Sequence, residues 1–135
     1  MEAFPKNKIK PIKGELSGSD GDASIEILLE KFELEVEGYS EEVETSIRLD
    51  SIDIPTSPEV IEDKVFQFPV NPNVGYIDGS IYFFAAHNPV DVTKITFGKI
   101  KNGILPITLE CKWVLEYERT GFSNFESKIE ANIEL

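Results

Sequence analysis

The chain has 135 residues, a single cysteine and a formal charge of −12. That length fits one domain, 1–135, and 41% hydrophobic residues supply core material that a disordered chain lacks. The lone Cys111 excludes an internal disulfide, and no run approaches the roughly 18 apolar residues of a membrane span, so a cytoplasmic protein without membrane contact is expected.

The charge is uneven. Residues 1–14 carry +3, residues 15–63 carry −14 and residues 64–135 carry −1. A surface of that sign repels phosphate backbones, so nucleic acid is not an expected partner. A basic protein is compatible with it, and so is simple solubility.

Residues 1–22 read as a partly irregular segment that could pack over a sheet through Phe4, Ile9, Ile12 and Leu16, ending in a flexible turn at Ser17–Asp22. Ile25, Leu28, Leu29 and Phe32 fit helical spacing. Ile25, Ile27 and Leu29 also fit a strand that changes face before Phe32, and the strand is favoured because Phe32, Leu34 and Val36 continue its period.

Gly38–Glu42 then reads as a loop, with Val36 facing Thr45, Leu34 facing Ile47 and Phe32 facing Leu49. That register sets Glu33 against Arg48 and Lys31 against Asp50 on the outer face. Glu33, Glu35 and Glu37 would share one strand face, with Glu44 near Glu37, as an acidic surface for a basic partner. Residues 55–63 and 69–79 are rich in Pro, Asn and Gly and read as loops.

Residues 81–86 are apolar on both faces. Ile81 and Phe83 would join the core with Ile95. Tyr82 and Phe84 would point outward with Val90, Val92 and Val114, as a patch that binds a second copy or a partner, or that the N-terminal segment covers. His87, the only histidine, falls in an expected turn at Ala86–Pro89, with Asp91 beside it and Trp113 across from Asp91.

Lys101–Gly103 can form a three-residue hairpin loop that pairs Ile100 with Ile104, Phe97 with Ile107, Ile95 with Leu109 and Lys94 with Glu110. A two-residue Asn-Gly loop would slip this register by one, and the pattern disfavours it. From Leu105 to Tyr117 the odd positions are apolar and most even ones polar, and residues 125–135 alternate likewise. A three-residue loop at Arg119–Gly121 would oppose Lys112 to Lys128 and Glu110 to Glu130; a slip by two relieves both clashes.

These elements predict an all-β fold: a mainly antiparallel sandwich or flattened barrel of about seven to nine strands, with a C-terminal meander from residue 79. Cys111 lies on the core face, and one cysteine with one histidine cannot build a zinc cage, so no metal or cofactor is expected. No phosphate-binding, dinucleotide or nucleophile-elbow motif occurs. The sequence supports a non-catalytic interaction module, of the kind that inhibits a basic enzyme or confers immunity to one. A small-molecule binder with Phe97, Trp113 and Tyr117 lining an open barrel end is the alternative, and an enzyme built on His87 and Asp91 a third.

Overall fold

The computed structural model describes residues 1–135 and is nearly all β. Its strands are β1 (Pro11–Ser19), β2 (Asp22–Leu29), β3 (Phe32–Val36), β4 (Tyr39–Val43), β5 (Ser46–Ile52), β6 (Val65–Gln67), β7 (Asp78–Phe83), β8 (Ala86–Phe97), β9 (Ile104–Trp113) and β10 (Phe125–Glu134). One helical turn, α1 (Pro58–Ile61), and a 3-10 turn at Lys6–Lys8 complete the chain.

The strands β1, β2, β5, β7, β8, β9 and β10 pair in that order and close on themselves, because β10 returns to β1. The closing contact, Gly14 with Ile133, is parallel, and every other pairing is antiparallel. The result is a mixed seven-stranded barrel rather than a sandwich. Closure removes most free sheet edges. The C-terminal half is the expected meander, β7 through β10. Strand β6 pairs antiparallel with β8 beyond the end of β7, and β3 with β4 forms a separate hairpin.

Period-2 alternation builds this barrel. Leu105, Ile107, Leu109, Cys111 and Trp113 of β9 are all buried, as are Ala23, Ile25, Ile27 and Leu29 of β2. Residues 24–29 are therefore strand, and the face changes at Glu30–Lys31 before Phe32. A single apolar cluster fills the interior and takes in the inner face of the β3–β4 hairpin: Phe32, Leu34, Val36 and Val43.

Phe4 is buried in that cluster, with its ring 5.4 Å from Phe125, 5.3 Å from Phe122 and 5.5 Å from Trp113. The N-terminal segment thus plugs the barrel through Phe4, whereas Ile12 stays exposed.

Several sequence-based registers need correction. Strand β3 turns straight into β4 through Glu37 and Gly38, both at positive φ (49° and 82°), a two-residue hairpin turn. Its partner is therefore residues 39–43, and β5 pairs with β2 instead. Arg48 meets Glu26 and Asp50 rather than Glu33, and Lys31 meets Glu44.

Asn102 and Gly103 likewise form a two-residue turn (φ 52° and 72°) closed by Lys101 and Ile104. The expected register survives further in, with Phe97 on Ile107, Ile95 on Leu109 and Lys94 on Glu110. The one-residue offset is absorbed between Gly98 and Lys101, beside Pro106, which has no N–H to hold a ladder. In the last hairpin, Lys112 faces Glu126 and Glu110 faces Lys128, the slip by two that places unlike charges together.

The turn between β7 and β8 falls at Phe84–Ala85 (φ 50° and 57°), not at Ala86–Pro89. Left-handed backbone at a phenylalanine is strained. The clamp is Asn88, the one buried polar residue, whose Nδ2 donates to the carbonyls of Ile81, Phe83 and Ala86.

Candidate interaction surfaces

The expected outward patch divides. Tyr82 is 49% exposed, with its ring 4.8 Å from that of His87. Phe84 is half-buried in the turn, stacked on Phe122 and edge-on to Tyr39 at 5.0 Å. Val114 is half-buried just beyond β9, and its N–H donates to the Pro89 carbonyl.

Val90 and Val92 are core residues instead, at 0% and 1% exposure. A β-bulge between Val92 and Lys94 shifts the alternation by one, so Val90 and Val92 share the inner face with Ile95 and Phe97. The displaced residue, Thr93, gives its carbonyl to the Phe68 N–H.

The acidic residues concentrate on the β3–β4 hairpin. Glu33 lies directly opposite Glu42, and Glu35 opposite Ser40, all exposed. Ser40 Oγ donates to Glu33 at 2.8 Å, the only side-chain hydrogen bond that a carboxylate of this face receives. Glu37 is in the turn, where its N–H bonds to Glu2, and Glu44 sits at the other end of the hairpin, 3.6 Å from Lys31. The expected proximity of Glu44 to Glu37 is therefore replaced by this separation, a consequence of the tighter turn. Tyr39, 57% exposed beside Phe84, joins the acidic hairpin to the aromatic turn. The sequence does not reveal this contact, because Gly38–Glu42 reads as a loop.

The three residues assigned to an open barrel end do not line a common pocket. Phe97 and Trp113 are packed in the core, at 2% and 1% exposure. Tyr117 is 73% exposed in a turn beyond the end of β9, because β9 stops at Trp113.

His87 and Asp91 are both outward on β8, four residues apart, which is about 13 Å along an extended chain and too far for direct proton transfer. Trp113 pairs with Val90, and Asp91 with Lys112, again because of the bulge. Partial burial raises the Asp91 carboxyl above its usual range, while the Asn71 N–H and Lys112 pull it back. Burial pushes the Cys111 thiol up to about 12, with Glu110 adding to it, so the thiolate is suppressed at neutral pH. No three His, Cys, Asp or Glu side chains converge in a metal-binding cluster, and no helix is long and apolar enough to cross a membrane.

Two surface clefts flank Trp113. One, of 460 Å³, runs along β10 between the N-terminal segment and the strand, with Lys6, Ile9 and Pro11 on one wall and Phe125, Ser127 and Ile129 on the other. The second, of 500 Å³, lies between Val70, Asp91 and Val114. Nothing in the sequence pointed to the first, because which strand borders β10 is decided only when the barrel closes. No family model, curated protein or solved structure matches the chain.

Proposed function

We propose that this protein is a cytoplasmic, non-catalytic interaction module that docks a basic protein surface on its β3–β4 hairpin and the adjoining turn at Phe84. The observation that carries this reading is Glu33 facing Glu42 across an exposed two-stranded sheet. Like charges directly opposite on a ladder destabilise it. An opposing cation from a partner would relieve them: no ion pair within the chain reaches either carboxylate, and Lys8 Nζ donates to the Glu33 main-chain carbonyl instead.

Charge on that hairpin would speed encounter, and Tyr39 with Phe84 would supply amphipathic contact area at its edge. An inhibitor of a basic enzyme, or an immunity protein against one, would use such a face. A second copy of this chain carries the same negative hairpin and is a poorer fit to it.

The test compares two double variants of equal charge change in quantitative affinity capture from the native host. Glu33→Lys with Glu42→Lys is expected to lose the basic proteins that the wild type retains, at least about tenfold, the scale of a rim charge cluster. Glu15→Lys with Glu134→Lys, on β1 and the far end of β10, should retain them. Equal loss in both variants, or no basic protein captured by the wild type, overturns the reading.

A further inference from the structure

A closed barrel should leave no strand edge unpaired, yet β10 has one. Its contact with β1 is a single bridge, Gly14 with Ile133, near the C-terminal end of the strand. Toward Phe125 the chain that should continue β1 instead becomes the 3-10 turn at Lys6–Lys8.

The parity of the β9–β10 ladder identifies the groups left over. Leu135 donates its N–H to the Gly103 carbonyl, so the odd residues of β10 face β9 and the even ones face the gap. Glu126 confirms that parity, because its carbonyl accepts from Lys6 Nζ across the gap. No ladder pairing of β10 with β1 extends to Lys128 or Glu130, and no turn or loop main chain bonds to their N–H and C=O groups, which face the gap.

These groups run along the 460 Å³ cleft, whose floor is apolar at Trp113, Phe125 and Ile129 and whose opposite wall is Ile9 and Pro11. Pro11 has no N–H, so that wall cannot pair fully with β10. Trp113 is fixed by its indole N–H donating to Ser127 Oγ at 2.9 Å. The outward side chains at the gap are Glu126, Lys128 and Glu130, in strict sign alternation.

We propose that the β10 edge is a docking site for an extended segment of a partner protein, which adds as a strand to Lys128 and Glu130. Main-chain groups aligned along a strand are satisfied together only by another extended backbone, which fixes the class of occupant. The side chains fix its pattern. Residues facing the cleft floor are apolar. Outward residues run basic, acidic, basic, to lie beside Glu126, Lys128 and Glu130. This site does not use the carboxylates of the acidic hairpin, although the wall segment is tied to that hairpin through Lys8 Nζ and the Glu33 carbonyl.

The probe is a blocked synthetic heptapeptide, Thr-Lys-Val-Glu-Val-Lys-Thr, titrated into the intact protein up to millimolar concentration. Amide hydrogen exchange by NMR is the readout. In the free protein the amides of Lys128 and Glu130 should exchange fast while those of Ser127 and Ile129 are protected. Bound peptide should protect both fast amides.

Its charge-swapped counterpart, Thr-Glu-Val-Lys-Val-Glu-Thr, should bind more weakly. Lys128→Pro removes only an N–H that faces the gap, so the fold should persist and peptide affinity should fall at least about tenfold, as the loss of one or two backbone hydrogen bonds requires. Lys128→Gln, which keeps the N–H, should bind within about threefold of wild type, the scale of one exposed ion pair. Glu42→Lys, which leaves the Lys8 anchor at Glu33 in place, should leave the peptide affinity unchanged. No saturable binding, binding without protection of Lys128 and Glu130, or equal binding by folded Lys128→Pro overturns the proposal.

Discussion

At the scale of single residues, backbone crowding decides one of the sharpest outcomes. A Cβ added to Gly79 would lie 2.2 Å from the Val90 carbonyl oxygen and 3.0 Å from Leu49 Cδ2. The first neighbour is main chain of β8 and cannot rotate away, so β7 and β8 would have to separate where they begin to pair. Gly79→Ala should therefore cost about 1–3 kcal/mol, the usual range for overpacking a closed core. Chemical denaturation would measure it as a lower midpoint at unchanged slope, and an unchanged midpoint would contradict the placement of Gly79 against Val90. The sequence offered no sign of this: Gly79 read as the end of a loop, since its demand comes from a strand eleven residues later. Core residues on clean alternation, such as Leu105 through Trp113, were legible because each needs only its own strand. Val92 was not, because one extra residue in the strand reverses every later face.

Elements were legible where local chemistry fixed them and illegible where closure did. The strands of the last hairpin follow from their own alternation, and the slip by two that joins Glu126 to Lys112 from charges facing each other across one hairpin. That β5 pairs with β2 rather than β3 follows only from a tight turn at Glu37–Gly38, which local composition did not demand. The N-terminal segment is the element whose role grew most. It was expected as a possible cover for an outer patch, and it instead carries Phe4 into the barrel, with Glu2 tied to Gly121 and Ser123 by main-chain bonds of 2.9 and 2.8 Å. Phe4→Ala removes a ring stacked on Phe125 and should cost about 3–5 kcal/mol. Trp113, the only tryptophan, reports on the same cluster. Its emission should shift to the red in the folded variant if water enters the space Phe4 vacates. A small stability loss with unchanged emission would mean that the segment rests on the barrel without sealing it.

For the whole molecule, the distribution of charge sets stability as well as partners. Residues 15–63 hold −14, and they form most of β1, all of β2 to β5 and α1, one continuous stretch of the chain. The exposed pairs Lys31–Glu44 and Arg48–Asp50 offset little of it, since solvent-exposed ion pairs contribute at most about 1 kcal/mol. The acids do not all act alike. A hydrogen bond from Ser24 chiefly holds Asp50 below its usual range, and the Thr56 N–H and hydroxyl do the same for Asp20. A carboxylate lowered in the folded state stabilises above its unfolded value of 3.8 and loses that contribution as pH falls through the folded value. Near neutral pH both contributions are fully present, so ionic strength there reads mainly the repulsion among the remaining acids. Raising sodium chloride from 0.01 to 1 M shortens the screening length from about 30 Å to about 3 Å. The melting temperature at pH 7 should therefore rise, by roughly 4 °C for each 1 kcal/mol of repulsion removed in a domain of this size. The Glu33→Gln, Glu42→Gln double variant should start higher at low salt and gain less from salt, because the facing pair then carries no charge. If wild type and variant rise in parallel, the repulsion is spread over the acidic segment and the hairpin holds no special share of it, which would also weaken the case for that hairpin as a docking face.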